Sequence, residues 1–252
     1  MGTGAITQYV DVAQIVLYMF WIFFAGLIFY LVREGHREGY PMDSGRENGP
    51  VITGWPVPEP KTYRLANGRE VLAPDFNRPD SSYQAQPVTP LNGAPLEPVG
   101  NPLTAGVGPG AWSARADEVD RTLHGDAKIV PLRVASDHGV ASKDVDPRGM
   151  SVVDVHGNVA GKVTDLWVDR MEMMFRFLEV TTQGGRQVLV PMTFARITRQ
   201  SITVHALMAD QYEGVPATRN PDEITLLEEE KITAYFGAGT LYATPERQEP
   251  LL

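Results

Sequence analysis

Residues 159–191 read VAGKVTDLWVDRMEMMFRFLEVTTQGGRQVLVP, and this stretch decides the fold of the larger part of the chain. Short β-branched and aromatic runs separated by Gly184-Gly185 predict strands joined by tight turns. Gly157-Asn158 supplies the same kind of turn just upstream. The predicted strands are SVVDV at 151–155, VAGKVTDLWVD at 159–169, RFLEVTT at 176–182, RQVLVPM at 186–192, ARITR at 195–199 and SITVHAL at 201–207. Five or six short strands at this spacing predict a small antiparallel β-barrel.

A single helix is predicted after the strands, over about residues 225–242, within TLLEEEKITAYFGAGTLYA. Acidic residues occupy its first turns, where they complement the helix dipole. Apolar residues recur at roughly helical spacing, which predicts an amphipathic helix bounded by Pro221 and Pro245. These residues are Leu227, Ile232, Tyr235, Ala238 and Leu241.

Residues 12–32, VAQIVLYMFWIFFAGLIFYLV, carry no formal charge. A helix of this length covers about 30 Å, the thickness of the hydrocarbon core of a bilayer. The sequence therefore predicts one transmembrane helix. The alternative is a cleaved signal peptide, which is disfavoured because no basic region precedes the run and no A-x-A site follows it.

The charges beside this helix predict its orientation. Arg33, His36 and Arg37 follow it, whereas no Lys or Arg precedes it. The positive-inside rule then predicts that residues 1–11 are periplasmic and that the C-terminal part is cytoplasmic. Trp21 falls near the midplane, where its indole N–H favours contact with another protein or a pigment, and a lipid-facing position is the alternative.

Residues 33–112 are predicted to form an extended Pro/Gly-rich segment at the membrane surface. Thirteen of the 20 prolines lie between Pro41 and Pro109, which excludes long helices and central strands. A disordered linker is one interpretation of this composition. Aromatic and apolar residues scattered through it favour a segment ordered by a partner instead. Asn67-Gly68 predicts a short hairpin near TYRLANGREVLAP at 62–74.

Composition and motifs exclude several functions. The 252 residues carry a formal charge of −9, which argues against a nucleic-acid partner, and they contain no cysteine, which excludes disulfides and thiolate metal sites. The segment Gly157–Lys162 lacks P-loop spacing, and the five histidines lack metalloprotease spacing. The chain is therefore not expected to be an enzyme, and a tethered soluble enzyme has no motif in its favour.

One group of ionisable residues remains, in DLWVDRMEMMFRFLEV at 165–180. Asp165 and Asp169 are predicted to share a strand face, Glu172 to lie in the connection, and Arg176 and Glu179 to follow on the next strand. Carboxylates placed in this way near a membrane surface can pass protons along a chain of hydrogen bonds. The alternative is a solvated charged hairpin held by ordinary surface ion pairs.

Six segments follow one another along the chain: FWIFFAGLIFYLVREGHREGYPM, GVGPGAWSARAD, KIVPLR, AGKVTDLWVD, RFLEV and TLLEEEKITAYFGAGTLYA. In this order they resemble the H subunit of the photosynthetic reaction centre of purple bacteria. The β-rich part resembles the PRC-barrel module, which also occurs in RNA-processing proteins. The resemblance implies one transmembrane helix, residues 33–112 along the membrane surface, and a PRC-type barrel over 113–252.

The resemblance also implies a function. Such a subunit binds no pigment, caps the L and M subunits, shields the quinone sites and conducts protons to the secondary quinone. Bacteriochlorophyll, bacteriopheophytin, quinones, non-haem iron and carotenoid are expected on partner subunits. Light-harvesting 1 antenna polypeptides, a cytochrome and membrane lipids are further expected partners, in the intracytoplasmic photosynthetic membrane. The alternative is a membrane-tethered PRC-barrel adaptor without a photosynthetic role.

Site residues follow from matching positions. Glu172 matches the family's glutamate nearest the secondary quinone, with Arg176 beside it. Asp169 matches the family's aspartate on the entry side, and Asp165 matches a further acid of the same strand. Asp43 stands where the family often has a glutamate.

The resemblance places the proton entrance at His124, which matches the first of two surface histidines. The second histidine position is Asp126 here, and a nearby acidic position is Thr122. His124 with Asp126 still offers a titratable pair, since histidine titrates near neutral pH. Contacts to partner subunits or lipid headgroups are expected from Arg33, Arg37, Tyr40, Lys61 and Trp21.

Overall fold

The computed structural model describes residues 4–6, 11–38, 58–73, 75, 77, 84–89 and 94–248. The chain divides into two compact units, residues 1–80 with 91–93 and residues 81–90 with 94–252. This division falls within the predicted 33–112 segment, and the predicted boundary at 112/113 stays a prediction. The two units are described in turn.

The first unit begins with helix α1, Val12–Gly35, three residues longer than the predicted span. Asp11 caps it, because the Asp11 carboxylate accepts a hydrogen bond from Gln14 N at 2.8 Å. No residue of α1 is buried within the chain, and Ile22 is 74% exposed. A helix that exposes apolar side chains on all sides needs an apolar surrounding. Its length and composition suit a membrane span, as predicted.

A hairpin lies further along the first unit, after the 3-10 turn His36–Glu38. Strand β1, Lys61–Arg64, pairs antiparallel with strand β2, Glu70–Ala73. Gly68 has a φ of +82°, a conformation that glycine adopts without strain. The hairpin predicted from Asn67-Gly68 is therefore confirmed.

The second unit contains a seven-stranded sheet and a separate two-stranded sheet. The small sheet pairs β3, Ala85–Pro87, with β4, Leu96–Pro98. The large sheet consists of β5 Ile129–Pro131, β6 Ser151–Val153, β7 Val159–Asp169, β8 Met174–Thr182, β9 Gln187–Pro191, β10 Ala195–Ile197 and β11 Ile202–Val204. Single 3-10 segments occur at Gly108–Gly110, Met192–Phe194, Ala209–Gly214 and Pro245–Arg247. All six strands predicted for this region are present, and β3, β4 and β5 are additional.

The strand order β10-β11-β6-β7-β8-β9 requires a curled sheet. Strands β9 and β10 stand at opposite ends of this order, yet only Met192–Phe194 separates them in the chain. The two edges must therefore approach each other, as in the predicted barrel. The pairs are antiparallel except for β6 with β11, which is parallel. This exception arises because the short turn between β9 and β10 does not reverse the sense of the chain.

The core lies around the centre of β7 and β8. Leu166, Trp167, Leu178 and Val180 are at most 1% exposed. All residues from Asp165 to Asp169 are buried, so residues on the two faces of this part of the strand do not differ in burial. This half of β7 is covered on both faces, and its polar side chains consequently need partners inside the protein.

Helix α2, Leu226–Tyr242, confirms the predicted C-terminal helix. A capping box opens it, since Glu228 N donates to Thr225 Oγ1 and Thr225 N donates to Glu228 Oε2. Residues 234–239 are all buried, which is a wider buried surface than one amphipathic stripe. A side chain at Gly237 would collide with the Pro109 carbonyl oxygen, so glycine permits this close packing.

Candidate functional site

The connection between β7 and β8 carries the candidate site. Asp169 ends β7, and its Oδ1 accepts hydrogen bonds from Met171 N and Glu172 N, both at 3.0 Å. Met173 adopts a φ of +55°, which is unusual for a residue with a side chain. The Asp169 carboxylate therefore fixes the backbone of the turn that presents Glu172. The structure brings these two predicted residues together.

Lys128 joins this site, although no local sequence pattern indicates it. Its Nζ lies 3.4 Å from Asp120 Oδ2, 3.6 Å from Asp169 Oδ2 and 3.8 Å from Glu172 Oε1. The Asp169 side chain is 0% exposed, whereas those of Asp120 and Glu172 are 43% and 51% exposed. One ammonium group thus faces one buried and two solvent-facing carboxylates.

Glu172 also has a second cation nearby. Arg176 Nη1 lies 3.7 Å from Glu172 Oε2, on the opposite carboxylate oxygen from Lys128. Glu229 at the start of α2 belongs to the same electrostatic environment. Burial raises the pKa of Glu229 and outweighs the opposing charges of Arg176, Arg115 and Lys128. Glu229 was also missed from sequence, because three consecutive glutamates at a helix start resemble ordinary dipole complementation.

Asp165 lies in a different cluster from Asp169. Asp165 Oδ2 accepts from Arg133 N and Arg133 Nη1, both at 3.2 Å. The same Nη1 lies 2.8 Å from Glu179 Oε2, which also accepts from Trp167 Nε1 at 3.0 Å. Four residues along a strand span about 13 Å, so a shared face does not place Asp165 and Asp169 in contact. Its predicted role in proton transfer stays a prediction.

The charged side chains of this hairpin are partly buried and partly exposed. In the alternative of a solvated charged hairpin they would all be exposed. Asp165, Asp169 and Glu179 are each at most 7% exposed. Glu172 and Arg176 are the partly solvent-facing members. The hairpin therefore places one buried carboxylate, Asp169, next to an accessible one, Glu172.

His124 and Asp126 are both exposed on the loop between the paired residues Arg121 and Ala127. Gly125 turns this loop with a φ of +90°. Neither side chain has a hydrogen-bond or ion-pair partner among the described residues. Asp126 lines a cavity of about 320 Å³ together with Arg170 and Asp222. Both residues are accessible to solvent, while the proton-entrance assignment itself stays a prediction.

The residues expected to contact partners or lipid have varied surroundings. Arg37 and Lys61 both pair with Glu34 Oε2, the former at 2.9 Å. Arg37 also donates to the Glu59 carbonyl oxygen. Two of the expected contact residues thus hold the strand segment near Lys61 to the end of α1, a contact inside the chain that sequence reasoning missed.

The remaining predicted contact residues are exposed or undescribed. Arg33 is exposed at the end of α1. Trp21 is 55% exposed and packs edge-to-face on Phe20 and Phe24. Tyr40 and Asp43 lie outside the described residues. Within the described ranges, no group of three or more His, Asp or Glu side chains could hold a metal ion.

Comparison with protein families identifies the chain. A family model described as photosynthetic reaction centre, H-chain N-terminal region, matches residues 4–134, which is more than half of the chain. A PRC-barrel domain model matches residues 140–211, the region of strands β6 to β11. Members of the first family are structural subunits and are not known as enzymes. The chain therefore belongs to the photosynthetic reaction-centre H-chain family, as a membrane-anchored subunit of the reaction-centre complex that carries a PRC-barrel domain.

Proposed function

We propose that this chain caps the L and M subunits on the cytoplasmic side, shields the quinone sites from bulk water and conducts protons to the secondary quinone. We assign the bacteriochlorophylls, bacteriopheophytins, quinones, non-haem iron and carotenoid to partner subunits. The light-harvesting 1 polypeptides, a cytochrome and membrane lipids complete the proposed surroundings. Family membership supports the association with the complex.

The proton route is supported most by the position of Asp169 and Glu172 in one turn, where both carboxylates face Lys128. Asp169 is buried at the end of β7, and the Glu172 side chain is 51% exposed three residues later. A reduced quinone needs protons before it leaves as quinol, and carboxylates are suitable donors when neighbouring charges tune their affinity for protons. Glu172, between Lys128 and Arg176, is therefore our candidate for the final donor within this chain.

The surface around Glu172 supports the capping role. Met171, Met173 and Met174 are 49%, 71% and 46% exposed on the same hairpin tip. Exposed methionines are frequent at binding surfaces because the flexible thioether adapts to a partner. A partner that covers this tip would also exclude water from the surroundings of Glu172.

The orientation rests on the charges that follow α1. Arg33 and Arg37 come directly after the apolar run, and no basic residue precedes it. The positive-inside rule then favours a periplasmic N-terminus and a cytoplasmic PRC-barrel domain. The intracytoplasmic photosynthetic membrane is the proposed location.

Glu172→Gln tests the proton route in the purified complex. We expect the proton-coupled second electron transfer to the secondary quinone to slow by roughly ten-fold or more at neutral pH, because the amide cannot donate a carboxyl proton. Glu246→Gln, an exposed glutamate near the C-terminal 3-10 turn, is the control and should leave the rate unchanged. An unchanged rate in Glu172→Gln, in a complex with an unaltered pigment spectrum, would contradict the proposed route.

A further inference from the structure

We propose that Lys128 is a positioning residue of this route: its ammonium group is the shared counter-ion that links Asp120 at the surface to buried Asp169 and to Glu172. This inference rests on the proposed function, since it assumes that Glu172 transfers protons. Lys128 lies outside the hairpin at 165–180 in which the sequence predicts the proton route.

The backbone of Lys128 is held on both sides. Lys128 N donates to Asp120 O at 2.8 Å, and Arg170 N donates to Lys128 O at 3.0 Å. The next residue, Ile129, pairs with Asp169 in the ladder between β5 and β7. The chain therefore delivers this side chain to the end of β7, where it is only 22% exposed.

Lys128 faces the oxygen of the Asp169 carboxylate that accepts no hydrogen bond from the described residues. Asp169 Oδ1 is occupied by two backbone donors of the turn. Asp169 Oδ2 is buried and accepts no hydrogen bond from any described residue. Lys128 Nζ lies 3.6 Å away. Because an uncompensated buried carboxylate is costly, this ammonium group serves as the counter-ion of Asp169.

The ammonium group is shared among its neighbours. Its distances of 3.4, 3.6 and 3.8 Å to three carboxylates exceed those of a close N–H···O hydrogen bond. Burial disfavours the ammonium, but Asp169, Asp120 and Glu172 outweigh it and raise the pKa of Lys128. Lys128 therefore stays charged at neutral pH, and a proton gained by one carboxylate changes the balance of charge at the other two.

The remaining charged groups around the site set the sign of the effect. Arg176 faces Glu172, while Arg115, Arg176, Lys128 and Asp120 all act on Glu229. Arg115 is itself paired with Glu230 at 3.5 Å. Removal of Lys128 thus takes away the cation shared by Asp120, Asp169 and Glu172. Because the negative charges then repel one another more strongly, these carboxylates should together retain a proton up to a higher pH.

Lys128→Met and Lys128→Arg, in the purified complex, form the matched test. The methionine keeps the apolar stem and removes the charge, whereas the arginine keeps the charge. We expect Lys128→Met to shift the pH profile of the proton-coupled electron transfer upward by about one pH unit. It should also add a protonated-carboxyl band in the infrared spectrum at neutral pH. Lys128→Arg should restore both readouts, which a loss of packing alone would not explain.

Asp120→Asn provides an independent variant should Lys128→Met fail to assemble. It removes a negative charge from the solvent-facing end and should shift the same profile downward. If the pH profile of Asp120→Asn stays in place or moves upward, the role assigned to Lys128 is wrong. If the Lys128→Met profile coincides with that of the unmodified complex while Glu172→Gln still slows the reaction, the Lys128 proposal fails alone. If neither variant changes the reaction, the proton route fails as well.

Discussion

Arg133 is the cation that balances two buried carboxylates, and its removal should destabilise the PRC-barrel domain. The side chains of Asp165 and Glu179 are 10% and 5% exposed, and both contact Arg133 Nη1. Arg133→Met keeps much of the apolar stem and removes the charge. Both carboxylates would keep neutral donors, such as Trp167 Nε1 for Glu179, but would lose their counter-ion.

The magnitude follows from burial. Removal of one partner from a wholly buried ion pair costs about 3–5 kcal/mol. The Arg133 side chain is 38% exposed, and its third partner, Asp222, is 48% exposed, so solvent reduces the effect. We expect a loss of about 2–4 kcal/mol in the free energy of unfolding at pH 7. For a protein of this size that loss corresponds to a decrease of roughly 5–15 °C in Tm.

The assay is denaturant unfolding of the full chain in detergent, with Arg148→Met as the matched control. Arg148 Nη2 lies 2.6 Å from Asp146 Oδ2, but both side chains are more than 40% exposed. Exposed pairs contribute only about 0–1 kcal/mol. Adding Glu179→Gln to Arg133→Met should recover part of the loss, because one uncompensated charge disappears. The reasoning is refuted if Arg133→Met destabilises the chain no more than Arg148→Met does.

Two further predictions concern stability. Asp154→Asn should destabilise the chain by roughly 1–3 kcal/mol at neutral pH, because the buried carboxylate accepts hydrogen bonds from the following turn and from Ala209 N. Burial opposes ionisation of Asp154, but these hydrogen bonds outweigh it and lower the pKa of Asp154. The ionised carboxylate therefore stabilises the folded chain above the unfolded-state pKa of about 3.9. This stabilisation is lost as the pH falls through the lower folded-state pKa. The free energy of unfolding of the unmodified protein and of Asp154→Asn, measured between pH 2 and 7, checks this. A difference between the two that stays constant across that range would contradict it. Gly237→Ala should lower Tm, although alanine normally favours helices by about 1 kcal/mol, because a Cβ collides with the Pro109 carbonyl; an unchanged or raised Tm would contradict the packing.

Local sequence patterns predict both α-helices, the first hairpin and six of the seven strands of the large sheet. Asn67-Gly68 specifies a tight hairpin by turn chemistry alone, and β7 and β8 follow from β-branched and aromatic runs. The apolar residues of α1 identify the helix without tertiary information. Strand β5 was missed because Ile129–Pro131 is only three residues long and ends in proline.

The two charged clusters were predictable only in part, because Lys128 and Arg133 come from outside the hairpin that carries the carboxylates. Arg133 precedes Asp165 by 32 residues, and no local pattern indicates that they meet. Lys128 reaches Asp169 only through the pairing of β5 with β7. The burial of Asp165 and Asp169 also depends on what covers both faces of β7, which an alternating sequence does not reveal.

Under the proposed function, this chain works as a subunit of a pigment-bearing photosynthetic reaction centre. The most direct measurement is the absorption spectrum of the material that co-purifies with the affinity-tagged chain from its own membranes in mild detergent. We expect bacteriochlorophyll and bacteriopheophytin bands, in a constant ratio to the L and M polypeptides. A colourless preparation that contains the folded chain without pigment-bearing subunits would contradict it and favour a membrane-tethered PRC-barrel adaptor.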